Sequence, residues 1–165
     1  MTEAFVALGS NIEPEAHLLK AARLLRAGFR NTRFSACYRN PAFGFVGAEF
    51  VNAVAGFDTT LPVEALIAAL RDIETQCGRG PADPRWGPRA IDVDLLLYGQ
   101  LVASTANYTL PRPDLARRIY MLGPLAQLAP DLPYPPDGPS IAELWSRFPR
   151  GPGELTRIEL DLAGA

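Results

Sequence analysis

The sequence predicts an α+β fold of the ferredoxin-like βαββαβ type, an antiparallel sheet with helices packed on one face and a short C-terminal extension. The main observation is the order of periodic segments, which runs strand, helix, strand, strand, helix, strand before a less regular remainder. The second observation is size, because 165 residues of which 48% are hydrophobic suffice for one buried core. We therefore expect a single domain over residues 1–165.

The first three elements are predicted from their different periods. The apolar run Ala4–Leu8 is typical of a central strand buried on both faces, and the turn-forming residues Gly9–Asn11 are expected to end it. Apolar residues at helical spacing predict a helix from about Pro14 to Phe29. Alternating side chains from Arg33 to Arg39 predict one half-exposed strand.

The next three elements complete the fold. A loop over Asn40–Glu49 leads into an apolar strand at about Phe50–Phe57. The most regular helical pattern spans Thr60–Cys77 and is followed by a glycine that can stop it. After the glycine- and proline-rich loop Arg79–Pro88, strand signals return over Ile91–Tyr98.

The C-terminal extension shows weaker periodicity. We predict helices near Leu122–Leu128 and Ile141–Phe148, and a last strand at Thr156–Leu160. The proline-rich stretch Leu132–Gly153 is interpreted as structural rather than functional.

Composition argues against several functional classes. The net charge of -2 gives no support for a nucleic-acid or membrane-surface partner, since both usually require a basic surface. The start of the chain lacks the features of a signal peptide and no stretch is long enough to span a bilayer, so we expect a cytoplasmic protein. Cys37 and Cys77 are too few for a disulfide framework or a zinc site and are expected to be buried, reduced thiols.

Two scarce residue types constrain the chemistry. Lys20 is the only lysine and His17 the only histidine. Any phosphate-binding group must therefore be an arginine or a backbone amide, and histidine-based catalysis depends on His17 alone. The glycine pattern and lysine of a P-loop are absent, so Gly9–Asn11 is interpreted as a plain turn.

Asp92 and Asp94 lie two residues apart on a predicted strand, so their carboxylates leave the same face while Ile91, Val93 and Leu95 face the core. Two adjacent carboxylates repel each other unless a positive group lies between them. A hard divalent cation such as Mg²⁺ meets that need. The alternative is that both aspartates face water at the edge of the sheet.

An arginine-rich loop precedes this pair and contains Arg79, Arg85, Trp86 and Arg89. Arginine presents a planar set of donors that matches phosphate oxygens, and a large aromatic residue in such a loop can cover a planar ligand. Alone, the loop is better explained as a solvated segment paired with Asp83 and nearby acids. Next to the aspartate pair, it indicates a magnesium-dependent polyphosphate site.

Several segments match one known family in the same order. They are Ala7–Asn11, Tyr38–Pro41 with Phe50–Ala53, Arg85–Gly99, and Leu110–Pro111 with Arg118–Met121 and Pro124–Leu125. Arg85–Gly99 is a long and very specific match. Together they resemble the 6-hydroxymethyl-7,8-dihydropterin pyrophosphokinase family of folate biosynthesis, over most of the chain to about Pro130.

The resemblance implies a ferredoxin-like fold and the transfer of pyrophosphate from ATP to the hydroxymethyl group of the pterin, which releases AMP. It implies two Mg²⁺ ions at Asp92 and Asp94, and catalytic roles for Arg79, Arg89 and Asp94, with Asp94 as the base if one is used. By the same resemblance the ATP-binding residues are Arg79, Arg85, Arg89, Thr109, Arg112 and Arg118. The pterin-binding residues are Phe43, Phe50, Asn52, Trp86 and Tyr120.

The chain departs from the family pattern at a few positions. Arg112 occupies a position where the family usually has histidine, and Pro81 replaces a loop arginine. The loop before Phe50 is also short. Glu74, by contrast, matches an acid of the family at the end of the second helix.

Two alternatives remain open at this stage. The chain could be a relative that acts on a modified pterin or has lost activity, or a ferredoxin-like binding module without catalysis. The aspartate pair distinguishes an enzyme from a binding module, because a binding module has no need of it. We expect a monomer that takes only small-molecule substrates.

Overall fold

The computed structural model describes residues 1–41, 49–78, 90–151 and 154–164. The following lists give the bounds of its elements. In the first half they are β1 Thr2–Ser10, α1 Pro14–Gly28, β2 Arg30–Phe34, β3 Cys37–Asn40, β4 Phe50–Thr59 and α2 Val63–Gln76. In the second half they are β5 Asp92–Tyr98, β6 Ala103–Ser104, β7 Thr109–Leu110, a 3₁₀ helix Pro113–Ala116, α3 Ile119–Leu128, α4 Ile141–Arg147 and β8 Thr156–Ile158.

The main sheet is antiparallel and follows the order β5-β1-β4-β3-β8, with β2 also paired to β4. Strand β1 lies between β4 and β5, and β2 and β3 share the far side of β4. This order confirms the predicted ferredoxin-like α+β fold. Strand β8 extends the sheet beyond the βαββαβ core, close to where the last strand was predicted.

Both faces of the sheet are covered: the two helices of the βαββαβ core lie on one face, as predicted, and the helices of the C-terminal extension cover the other. On what we call the first face, α1 and α2 pack against inward side chains of β1 and β4 such as Val6, Ala53 and Phe57. On the opposite, second face, α3 and α4 pack against Phe5 and Val54. The central strands are apolar on both faces and therefore require two layers of cover.

The strand predicted over residues 33–39 is two strands, and Ser35 is the reason. Its backbone N–H donates to the Val54 carbonyl at 2.8 Å, while its hydroxyl accepts the Val54 N–H at 2.9 Å. The serine side chain thus takes the place of a backbone acceptor, and the pairing to β4 is interrupted between β2 and β3. Cys37, which begins β3, points into the first-face core.

Other boundaries also shift. Strand β1 continues through Gly9 and Ser10, so the turn predicted there was wrong for these two residues. Helix α3 begins at Ile119, three residues before the predicted start. The β6–β7 hairpin and the 3₁₀ helix that precede it had no periodic signal to predict them.

Cys37 and Cys77 are buried free thiols, as predicted. Burial, with a smaller contribution from the charge of Asp161, raises the pKa of the Cys37 thiol to about 12. Within the described ranges, no helix combines the length and apolarity needed to cross a bilayer.

Candidate active site

The polar residues of the second face cluster where β4, β1 and β5 run side by side. Gly9 of β1 pairs with Asn52 on one side and with Asp92 on the other. Ala7 pairs in the same way with Val54 and Asp94. Because strands are about 4.8 Å apart, the Asn52 and Asp92 backbones are separated by about 10 Å.

The two aspartates share one face of β5, as their spacing predicts. Val93 and Leu95, between and beyond them, are buried in the first-face core together with Ile91. The Asp94 side chain is 18% exposed, so its carboxylate is largely shielded from solvent but still accessible.

Helix α2 brings a cation to this pair. Arg71 binds both carboxylate oxygens of Glu74, at 2.9 and 3.0 Å, and lies 3.8 Å from Asp94 Oδ1. Glu74 is 3% exposed and also accepts the Val93 N–H at 2.8 Å, which fixes it to β5. Burial by itself would lower the pKa of Arg71, but the charges of Glu74, Asp94 and Asp92 outweigh it and raise that pKa.

Arg112 reaches Asp94 from the opposite side. The register of β5 shifts at Leu96, whose carbonyl accepts the Arg112 N–H at 3.0 Å. One guanidinium nitrogen of Arg112 then lies 3.9 Å from Asp94 Oδ2, and its Nε lies 3.8 Å from Asp114. Among the described residues, this buried Nε has no hydrogen-bond partner.

These residues form a row across the second face, from Asn52 on β4 past Gly9 on β1 to the aspartates on β5. At its Asn52 end, Asn52 has two close neighbours. Asn52 is 5% exposed and its Nδ2 donates to Asn40 Oδ1. A Cβ built on Gly9 would lie 2.7 Å from Asn52 Oδ1 and 3.9 Å from the Phe50 ring, so both side chains extend over Gly9. Phe50 and Asn52 therefore share a face, as their spacing on one strand predicts.

Tyr120 and Arg118 approach from α3. Burial raises the pKa of Tyr120, and smaller effects come from the charges of Arg118, Asp114, Asp94 and Arg112. These influences indicate that the phenol lies near the aspartate end of the row. Arg118 precedes α3, with its backbone N–H bonded to Asp114.

Thr109 is exposed on β7, where its hydroxyl lies 3.1 Å from that of Ser104. Five predicted site residues, Phe43, Arg79, Arg85, Trp86 and Arg89, lie outside the described residues. Sequence reasoning also left out two residues that the structure brings to the site, Arg71 and Asn40. The only available signal for Arg71 was its i, i+3 spacing to the acid at Glu74.

The aspartate pair can be tested as a metal site. The described residues contain no group of three or more His, Cys, Asp or Glu side chains that could hold a metal ion. Both arginine contacts to Asp94 exceed hydrogen-bonding range. Two carboxylates fit Mg²⁺, which takes one or two protein ligands and completes its shell with phosphate oxygens and water.

Known proteins match this chain along most of its length. Residues 5–130 match the family model described as 7,8-dihydro-6-hydroxymethylpterin-pyrophosphokinase (HPPK). Relatives named 2-amino-4-hydroxy-6-hydroxymethyldihydropteridine pyrophosphokinase occur in Methylorubrum extorquens and Pseudomonas aeruginosa. The first is 35% identical and covers 96% of this chain and 100% of its own; the second is 38% identical, with 88% and 91% covered.

Solved structures agree at the level of the fold. The crystal structure of an HPPK-DHPS in complex with substrates has a TM-score of 0.65 and 11% identity over 88% of this chain. That of Plasmodium falciparum HPPK-DHPS wild type with pteroate has a TM-score of 0.67 and 11% identity over the same share. This chain spans 43% and 44% of those longer chains.

The family model and the two named relatives define the class of this chain as pyrophosphokinase. The chain belongs to the 7,8-dihydro-6-hydroxymethylpterin-pyrophosphokinase family.

Proposed function

We infer that this chain transfers pyrophosphate from ATP to the hydroxymethyl group of 6-hydroxymethyl-7,8-dihydropterin, releasing AMP, in folate biosynthesis. The observation that carries this function is the family match over residues 5–130, which contains the whole row from Asn52 to the aspartate pair. The chain is thus an ATP-dependent diphosphotransferase.

The two ends of the row suit the two substrates. At one end, the Asn52 amide and the Phe50 ring supply the polar and flat contacts that a pterin requires, and Tyr120 is a second aromatic group, on the side of the aspartates. At the other end, two arginines lie within 4 Å of the Asp94 carboxylate, beside Asp92, and a magnesium-bound polyphosphate requires such cations. A pterin lying across Gly9 would direct its hydroxymethyl arm towards the phosphates.

We assign the metal to Asp92 and Asp94, which would hold two Mg²⁺ ions. When bound there, the metal neutralises charge on the phosphate oxygens. Arg71 and Arg112 neutralise the Asp94 side of the site and are placed to contact phosphate. The remaining cations of the proposal are Arg79, Arg85, Arg89 and Arg118, with Thr109 as a neutral contact.

The reaction is an in-line displacement at the β-phosphorus of ATP. The hydroxymethyl oxygen forms a bond to this phosphorus while the bond to the α,β-bridging oxygen breaks, and AMP leaves with that oxygen. The hydroxyl proton passes to Asp94 in our proposal, since this carboxylate lies closest to the arginine-lined end. Positioning and charge neutralisation supply most of the acceleration, so the lack of a catalytic histidine is no obstacle.

Three further features belong to the proposal. The chain acts as a single domain over residues 1–165, as a monomer, and in the cytoplasm. The coverage of both sheet faces by one continuous chain supports the first of these.

The test is to incubate the chain with the hydroxymethyl-dihydropterin, ATP and Mg²⁺ and to separate the nucleotides by chromatography. We expect one AMP for each pterin diphosphate formed, and loss of most turnover in Asp92→Ala. Asp131→Ala, at an exposed aspartate between α3 and α4, is the matched control and should keep full activity. ADP as product would overturn the reaction, and full activity of Asp92→Ala would overturn the metal assignment.

A further inference from the structure

We propose that Asn40 is a positioning residue that fixes which end of the Asn52 amide faces the pterin, and so makes Asn52 a hydrogen-bond acceptor in substrate recognition. The inference rests on the proposed function and extends it to a residue that does not itself contact the reacting atoms. Asn40 ends β3 and is 4% exposed; it pairs with Phe50 of β4, so it lies diagonally across from Asn52, which its side chain contacts.

The first step concerns Asn40 alone. Its Nδ2 lies 3.0 Å from the Pro41 carbonyl oxygen. A backbone carbonyl can only accept a hydrogen bond, so the amide of Asn40 must present its nitrogen there. The opposite orientation would place two acceptor oxygens against each other. The oxygen of Asn40 therefore points away from Pro41.

The second step passes this orientation to Asn52. Asn40 Oδ1 accepts a hydrogen bond from Asn52 Nδ2, and the bond is buried. Because Asn40 Oδ1 has no hydrogen to offer, Asn52 must present its nitrogen on this side. The direction of the whole relay is fixed by one carbonyl group at its end.

The third step gives the functional consequence. With Asn52 Nδ2 held by β3, Asn52 Oδ1 extends over Gly9 in the direction of Asp92. A ligand on this side of Asn52 meets the acceptor Oδ1 and, beside it, the second N–H of Nδ2. A ring edge that presents an N–H group to Oδ1 is therefore favoured over an edge that leaves Oδ1 unpaired.

The test uses Asn40→Ala and the near-isosteric Asn40→Leu, which fills the same space but offers no acceptor to Asn52, with Asp131→Ala as the control. We expect Asn40→Ala to raise the KM of the pterin on the order of tenfold, since a buried amide loses its partner and can turn. The kcat and the KM of ATP should stay within about twofold, because the contact is the same in the ground and transition states. Asn40→Leu should lose pterin affinity to a similar extent, and Asp131→Ala should keep it.

A double-variant cycle with Asn52→Ala separates positioning from a general structural effect. If Asn40 acts through Asn52, then Asn40→Ala has almost no further effect on pterin Kd when Asn52 is already alanine. Additive losses, or equal losses for ATP and pterin, would overturn the inference.

Calorimetric titration with pterin in the presence of a non-hydrolysable ATP analogue supplies the Kd without turnover. Should Asn40→Ala fail to fold, Asn40→Leu decides, and wild-type pterin affinity in a folded Asn40→Leu chain would contradict the relay. A wild-type chain that binds pterin but releases no AMP would overturn the proposed reaction. The pterin Kd values of the variants would then still decide whether Asn40 positions Asn52. A wild-type chain that binds no pterin would overturn both.

Discussion

Gly9→Ala adds a single methyl group at the centre of the candidate site. Gly9 lies in the extended strand β1, where alanine adopts the same backbone conformation without strain. The new Cβ would lie 2.7 Å from Asn52 Oδ1, far inside the normal contact distance. The effect of the substitution therefore comes from this one contact.

The size of the effect follows from how Asn52 is held. Asn52 is 5% exposed, and its nitrogen is bonded to Asn40, so the amide cannot move aside without breaking a buried hydrogen bond. Leaving such a group unsatisfied costs about 1–3 kcal/mol. We expect the free energy of unfolding to fall by about that amount, and the KM of the pterin to rise roughly tenfold or more because the acceptor is displaced.

The assay compares KM for pterin, KM for ATP and urea unfolding in Gly9→Ala, with Gly28→Ala as the matched control. Gly28 ends α1, and a Cβ built there meets no atom within 4 Å. The control should leave both KM values unchanged and be neutral or slightly stabilising. A Gly9→Ala chain with wild-type pterin KM would refute the assignment of this face to the pterin.

The next three predictions concern Asp94, Arg71 and Cys37. Asp94→Asn should lower the single-turnover rate of AMP release on the order of a hundredfold or more while the chain stays folded, and an unchanged rate would exclude Asp94 from the chemistry. Arg71→Met should lower the free energy of unfolding in urea by about 1–3 kcal/mol, since it removes the Arg71 guanidinium from the buried Glu74 carboxylate, and adding Glu74→Gln should recover part of the loss. Because burial raises the pKa of Cys37 from 9.0 to about 12, the thiol is protonated when folded and ionised when unfolded between these values. Stability should fall as the pH rises above about 9, by up to about 1.4 kcal/mol per pH unit, and a Cys37→Ala chain with the same slope would contradict this.

Local periodicity was enough to predict the main elements. The helices α1 and α2 and the strands β1, β4 and β5 appear within a few residues of their predicted bounds, because each has a strong apolar period of its own. The common face of Asp92 and Asp94 followed from the same rule, since alternate residues of a strand share a face.

Relations between distant elements could not be read from local pattern. The break at Ser35 depends on a hydroxyl that bonds to Val54 on another strand, and the alternation of residues 33–39 contains no sign of it. The position of α3 and α4 on the second face depends on packing that their weak periodicity does not encode. Arg71 belongs to a first-face helix, and it reaches Asp94 only because β5 is an edge strand.

The cover provided by α3 and α4 also bears on how the chain folds as it is synthesised. Domains form from the N-terminus onward as the chain leaves the ribosome. When β5 has emerged, all strands of the βαββαβ core exist, yet Phe5, Ala7 and Val54 still lack the helices that cover them. We expect the nascent chain to expose this apolar surface until residues 119–147 have been made. During that part of synthesis, the surface is available for a chaperone to bind.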